Sequence, residues 1–148
     1  MWKIRRKPSY SKNLDVLVAV ITHLGYTDWN MRSPKNTAKA LNMEEKSVLY
    51  VLENFRSLFR KATHTSKAGT PFYQLHIRYA LRWRDNVVYE EESKEAPLEP
   101  SSVNTLLDFV VKCADHERRN SLGYLTTWVA AAVAVTSAIL AIAFRKGC

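Results

Sequence analysis

The sequence predicts an α+β fold with three short helices and a β-hairpin, then a linker, an amphipathic helix and one C-terminal transmembrane helix. Three observations predict it. Apolar residues recur at helical spacing as far as Phe55. Aromatic and β-branched residues then occupy two runs on either side of a turn that contains Gly69 and Pro71. Finally, the 21 residues 124–144 contain no charged side chain.

The helical part begins at Asn13, where apolar residues repeat on one face at Leu14, Leu17, Val18, Ile21 and Leu24. Gly25 is suited to the C-terminal cap of this helix. Ser33 followed by Pro34 is a typical helix start and predicts a short helix over 36–41. Asn42 is expected to cap the third helix, with Glu45 three residues on as in a capping box.

The hairpin is predicted from the runs LFRKATHT and FYQLHIRYA, which the segment SKAGTP separates. Because side chains alternate along a strand, one set of the second run is expected to face the core: Tyr73, Leu75, Ile77 and Tyr79. The other set, expected to face outward, is Phe72, Gln74, His76 and Arg78.

Charge divides the chain into four parts. Residues 1–84 carry 16 lysines and arginines against 5 acidic residues and form a predicted basic domain. Residues 85–100 carry 6 acidic residues against 1 lysine and are predicted to be an acidic linker. An amphipathic helix is predicted over 101–122. The basic domain indicates an anionic neighbour, whether nucleic acid, an acidic protein or lipid headgroups.

The uncharged run 124–144 is predicted to be a transmembrane helix. At 1.5 Å per residue it would span roughly 31 Å, which matches a bilayer core. The small side chains of Ala130, Ala134 and Ala138 lie along one stripe with Ser137 nearby. This helix therefore self-associates as a homo-oligomer, packs against another membrane protein, or serves as a lone anchor. No signal peptide is recognised, so we expect a single-pass protein of the cell inner membrane with its N-terminal domain in the cytoplasm.

The segments TAKALN and EEKSVLYVLENF, followed by LFRK and the hairpin, resemble a winged-helix (winged helix-turn-helix) domain over residues 12–84. The resemblance implies that EEKSVLYVLENF takes the place of a recognition helix and that the hairpin is the wing. In that family the recognition helix commonly enters the DNA major groove. This sequence departs from the pattern at Glu44, Glu45 and Glu53, whose carboxylates would repel phosphates. Lys46 and Asn54 remain as base readers, with Tyr50 as a packing contact.

Most positive charge lies outside that helix. The candidate residues for nucleic-acid or partner binding in the N-terminal leader are Lys3, Arg5, Arg6 and Lys7. Those around the hairpin are Arg60, Lys61, Lys67, Arg78 and Arg82, with Arg56 and Arg84 close by in sequence. These side chains are suited to contacts with a phosphate backbone, and equally to an acidic protein.

The sequence contains no phosphate-binding glycine loop, no dinucleotide fingerprint and no nucleophile–base motif, so we expect no enzyme activity, no cofactor and no metal site. Two hypotheses remain. In the first, the basic domain binds a cytosolic protein or nucleoprotein partner and the transmembrane helix clusters, by architectural analogy with effectors of prokaryotic antiviral defense or toxin systems. In the second, the chain is a membrane-tethered, DNA-binding transcription regulator.

Overall fold

The computed structural model describes residues 7–66, 69–84 and 94–120. Over these residues the chain forms five helices and a two-stranded antiparallel sheet. In chain order they are α1 (Leu14–Tyr26), α2 (Pro34–Leu41), α3 (Glu45–Asn54), β1 (Phe59–Thr65), β2 (Pro71–Leu75), α4 (His76–Arg84) and α5 (residues 100–120).

Helix α1 is amphipathic, as its spacing predicts. Leu17, Val20, Ile21 and Leu24 are buried, and they form the centre of the core. The helix does not end at Gly25, because Thr27 adopts an extended conformation and serves as the C-cap. Gly25 instead lies within the last turn and is buried.

Helix α2 begins two residues earlier than predicted. The Ser33 side chain accepts a hydrogen bond from the Asn36 amide at 3.2 Å, and Pro34 occupies the first turn, where its missing N–H has no consequence. Asn42 closes this helix in the left-handed conformation, with φ 52°, and its amide donates to α2 carbonyls. Its predicted role as the cap of α3 is therefore wrong; Glu44 takes that position without a side-chain cap bond.

The hairpin pairs β1 with β2, and Phe59 lies opposite Leu75. Tyr73 and Leu75 face the core, as the alternation predicts, but Gln74, which is predicted to face outward, is also buried, at 2 % exposure. An additional bridge joins Arg32, in the connection between α1 and α2, to Tyr73 through two backbone hydrogen bonds of 2.9 Å. Strand β2 stops at Leu75, and α4 starts at once, so the predicted strand from residue 76 onward is wrong.

The second half of the predicted linker is bound to the rest of the domain. The Glu95 amide donates to the Asp28 carbonyl at 2.7 Å, and the Leu98 amide donates to the Gly25 carbonyl at 2.9 Å. Helix α5 follows and buries the side chains of Val103, Val110 and Ala114 completely. Residues 94–120 therefore belong to the same core as α1, α3 and the hairpin.

The predicted fold class is corrected in two respects. The three-helix domain with a wing is replaced by a small α+β domain in which α4 and α5 complete the core. The predicted transmembrane architecture and inner-membrane location are corrected as well. Among residues 7–66, 69–84 and 94–120, no helix has both the length and the apolar character needed to cross a bilayer. The segment 124–144, with Ala130, Ala134, Ala138 and Ser137, lies outside the described residues.

Candidate functional site

A cleft of about 330 Å³ lies between the C-terminal end of α3, strand β1 and the start of α4. We call it the basic cleft, because three of the side chains that line it are cationic. Its lining residues are Leu52, Glu53, Arg56, Phe59, Arg60, Lys61, Tyr73 and His76.

The cations of the basic cleft are held in different ways. Arg56 donates from Nε to the backbone carbonyl of Glu53 at 3.2 Å. The guanidinium carbon of Arg60 lies 3.6 Å from the ring centroid of Tyr79 on α4, a cation–π stack. Lys61 is exposed on β1 opposite Tyr73. Both Arg60 and Lys61 line the cleft together with Glu53 and Arg56 at the end of α3.

The buried wall of the cleft is formed by Tyr73, which is 1 % exposed. Its hydroxyl is fully buried and the geometry gives it no well-formed hydrogen bond, although the carboxylate of Glu53 approaches it as an acceptor. The pKa of Tyr73 is raised, chiefly by burial and then by the negative charge and hydrogen bonding of Glu53. The positive charge of Arg56 acts in the opposite direction but does not cancel this effect. The hydroxyl thus remains a donor at the bottom of a cationic cleft.

The outer face of α3 adjoins the cleft. Lys46, Tyr50 and Asn54 are all exposed and lie one helical turn apart. Tyr50 is 45 % exposed, much like Tyr26 and Phe109, and a single exposed aromatic side chain is ordinary on a folded surface. What distinguishes Tyr50 is its position between Lys46 and Asn54, next to the basic cleft. The Asn54 amide donates to the Tyr50 carbonyl at 2.8 Å, so it is engaged with its own helix.

The remaining predicted binding residues lie in different places. Lys7 is exposed, whereas Lys3, Arg5, Arg6 and Lys67 lie outside the described residues. Arg82 is on α4, and its side chain lies outside the description. Of the predicted set, the structure brings Arg60 and Lys61 together in the basic cleft and Lys46, Tyr50 and Asn54 together on α3.

Arg78 is inside the domain, not on its surface. Its side chain is 1 % exposed and donates to the backbone carbonyls of Trp29 at 2.9 Å, Gly25 at 3.1 Å and Thr27 at 2.8 Å. The expectation that it faces outward fails because the chain changes from strand to helix at residue 76, which changes the direction of every later side chain. Arg78 is a structural residue that joins α4 to the end of α1.

Sequence reasoning did not place Glu53, Tyr73, His76 and Tyr79 in the site. Tyr73 was expected only as a core residue, and Tyr79 as its neighbour on the same strand face. No local pattern in the sequence joins Arg60 to Tyr79, since the contact depends on α4 folding back beside β1. A cluster of Arg56, Arg60 and Lys61 within six positions was the one available signal.

A second, apolar cavity of about 360 Å³ lies where the N-terminal strap, defined as residues 9–11, crosses α5. Glu117 fixes the strap: its carboxylate accepts from the Ser9 hydroxyl at 2.8 Å and from the amides of Tyr10 and Ser11, both at 3.0 Å. Burial alone would raise the pKa of Glu117, but the hydrogen bonds have the larger combined effect, so the pKa of Glu117 is lowered.

The described residues contain no group of three histidine, cysteine or acidic side chains suited to a metal ion.

No family model matches the chain, and no curated protein or solved structure matches it. The predicted assignment to the winged-helix family is therefore corrected to a small α+β domain. The associated expectations of DNA binding and of a part in antiviral defense, which depended on that resemblance and on the membrane architecture, are corrected with it.

Proposed function

We propose that this chain is a non-enzymatic binding protein that recognises a protein or nucleoprotein partner through a single recognition surface. We define this surface as the outer face of α3, at Lys46, Tyr50 and Asn54, together with the basic cleft. The two parts are adjacent because Glu53, which lines the cleft, lies three positions after Tyr50 and so neighbours it on the helix.

The observation that carries the proposal is the exposure of Tyr50 beside a cluster of arginines. Tyrosine and arginine are enriched at the centres of protein interfaces, where an aromatic body supplies apolar area and a guanidinium supplies directed hydrogen bonds. The fold leaves Tyr50 45 % exposed and places Arg56 and Arg60 at the end of the same helix. These side chains have the chemical character of an interface anchor.

The signs of the charges favour a protein surface over a bare phosphate backbone. Glu44, Glu45 and Glu53 are all exposed on or beside α3, where Lys46 is the single cation, whereas Arg56, Arg60 and Lys61 lie in the cleft. A phosphate backbone carries only negative charge, so it would meet repulsion along the helix. A partner with both acidic and basic side chains can match this alternation of sign.

The test is site-specific photo-crosslinking in cells that express the full chain. A photoreactive phenylalanine analogue replaces Tyr50 in one variant and Thr105, exposed on α5 and outside the recognition surface, in a control variant. We expect a protein adduct from position 50 that is absent from position 105 and survives nuclease treatment. Mass spectrometry identifies the adduct, and the purified partner is then titrated against the full chain and its Tyr50→Ala variant.

Truncation of an anchor tyrosine should weaken this interaction by at least about 2 kcal/mol, which is roughly thirtyfold in Kd. Equal adducts from positions 50 and 105, or adducts to nucleic acid alone, would count against the proposal. So would a partner whose affinity is unchanged by Tyr50→Ala.

A further inference from the structure

We propose that the basic cleft is a subsite for one carboxylate side chain of the partner, which accepts hydrogen bonds from Arg60 and from the hydroxyl of Tyr73. Arg56 and Lys61 supply the surrounding positive charge. The inference rests on the proposed function, because it names the chemistry that the cleft adds to the contact at Tyr50.

The charge balance of the cleft favours an anionic occupant. Among the described residues that line the cleft, Arg56, Arg60 and Lys61 accompany one carboxylate, that of Glu53. Glu53 is itself directed toward the Tyr73 hydroxyl, so it is not positioned to neutralise all three cations. An incoming carboxylate therefore meets a net positive site with walls of low polarity at Leu52 and Phe59, where charge–charge attraction is stronger than in water.

Arg60 is already oriented for this contact. Its guanidinium carbon lies 3.6 Å from the centre of the Tyr79 ring, a cation–π contact that restricts the side chain. A guanidinium edge matches the two oxygens of a carboxylate, and a side chain that is ordered before binding loses less entropy on binding.

The hydroxyl of Tyr73 supplies a second, independent indication of a ligand. It is buried, it lies in the wall of the cleft, and it lacks a well-formed hydrogen bond. A buried donor without a good acceptor costs free energy, which a carboxylate oxygen at the base of the cleft would recover. Glu53 imitates such an oxygen imperfectly, and it would have to turn away when a ligand enters.

The dimensions and neighbouring charges favour an amino-acid side chain over a nucleic-acid phosphate. A volume of about 330 Å³ holds one side chain and its solvent, whereas a nucleic acid would extend beyond the cleft along α3. There it would meet Glu44 and Glu45, both exposed. An acidic peptide can place one carboxylate in the cleft and lay uncharged residues against the helix.

The test uses the full chain and three fluorescein-labelled probes, measured by fluorescence anisotropy: a peptide of alternating Glu and Gly, the matched peptide of alternating Gln and Gly, and a short DNA duplex. We expect the Glu peptide to bind and the Gln peptide to bind at least about tenfold more weakly, the effect of one charged hydrogen bond. Arg60→Gln should weaken the Glu peptide by about tenfold on the same basis, and Lys61→Gln, which removes surrounding charge without a direct hydrogen bond, by about threefold. Lys39→Gln, which removes one exposed charge outside the cleft, should change Kd by less than about twofold, as for a distant screened charge.

Glu53→Gln gives the sharpest result, because it removes the negative charge that competes for the cations and leaves every cation in place. We expect this variant to bind the Glu peptide severalfold more tightly than the wild-type chain. Glu53 is exposed, so the substitution leaves the core intact. Arg60→Gln could lower the unfolding midpoint through loss of its contact with Tyr79. In that case the Kd values of Lys61→Gln and Glu53→Gln for the Glu peptide test the subsite without it.

The inference is overturned if the Glu and Gln peptides bind equally, or if Lys39→Gln weakens binding as much as Lys61→Gln does. It is also overturned if the DNA duplex binds more tightly than the Glu peptide with the same dependence on Lys61, which would assign the cleft to nucleic acid. A partner that still depends on Tyr50 while the cleft variants change nothing would refute the subsite and leave the proposed function standing.

Discussion

The guanidinium Nη1 of Arg78 lies 3.9 Å from Oε2 of Glu95, although 17 positions of chain separate the two residues. Arg78 is 1 % exposed, and the side chain of Glu95 is 16 % exposed. The same guanidinium donates to three backbone carbonyls near the end of α1. One buried charge therefore holds together α4, the end of α1 and the segment that leads into α5.

Replacement of Arg78 by Met should destabilise the domain severely. Loss of the guanidinium leaves the carbonyls of Gly25, Thr27 and Trp29 without this donor and the Glu95 carboxylate without its cation, a change that typically costs about 3–5 kcal/mol. Urea unfolding followed by circular dichroism measures the free energy. The exposed Lys46→Met variant is the control and should stay within about 0.5 kcal/mol of the wild type. Equal stability of the two variants would show that Arg78 has no such structural role.

Replacement of Gly25 by Ala should also destabilise the domain, against the ordinary preference of helices for alanine. An added β-carbon would lie 2.8 Å from Cγ2 of Val103, which is fully buried, so the overpacking should cost about 1–3 kcal/mol. Val103→Ala in the same chain removes the clash. The double variant should therefore be more stable than the sum of the single changes, as measured by a double-mutant cycle in urea. Strict additivity would contradict the contact.

The hydrogen bonds at Glu117 predict a dependence of stability on pH. The pKa of Glu117 is lowered below its usual 4.5 in the folded protein, so the unfolded state binds a proton more readily. Its stabilising contribution is complete well above pH 4.5 and is lost as the pH falls through the folded pKa. Thermal unfolding midpoints from pH 3 to pH 6 should show this loss, and Glu117→Gln should reduce the slope.

The left-handed conformation of Asn42 predicts a simple order of stabilities. Glycine adopts φ 52° without steric cost, so Asn42→Gly should unfold at the same temperature as the wild type or slightly higher. A β-branched residue does not, and Asn42→Val should cost about 1–2 kcal/mol. Differential scanning calorimetry ranks the variants. If Asn42→Gly lowered the unfolding temperature as much as Asn42→Val, the stability at this position would depend on the side chain of Asn42 and not on its backbone conformation.

The elements predicted correctly from the sequence are those determined by residues close together in the chain. The apolar spacing of α1, the Ser33–Pro34 start of α2 and the glycine turn of the hairpin all act within a few residues. Gly25 was misplaced as a cap because the reason for a glycine there is Val103, 78 positions away. Asn42 was assigned to the wrong helix because it lies between two helices and suits either end.

The least predictable element was α4. The residues from His76 to Tyr79 alternate between polar and apolar as a strand does, and a short run of this kind fits a helix equally well. Tertiary contacts determine that this segment is a helix and not a strand. Arg78 donates hydrogen bonds to carbonyls at the end of α1, and Tyr79 contacts the guanidinium of Arg60. For the same reason the sequence indicates only part of the basic cleft. Its cations are close together in the chain and form a recognisable cluster, whereas its tyrosines are distant from them in sequence.

The attachment of residues 94–98 to the end of α1 determines how the chain can be shortened. Truncation after Arg84 would remove Val103 and Val110 from the interior, and a buried valine contributes about 1.5–3 kcal/mol. It would also leave the strap at Tyr10 without its carboxylate acceptor. A fragment that unfolds as one cooperative unit therefore has to include both the N-terminal strap and α5, and residues 1–84 alone should be expressed as an aggregating or partly structured polypeptide.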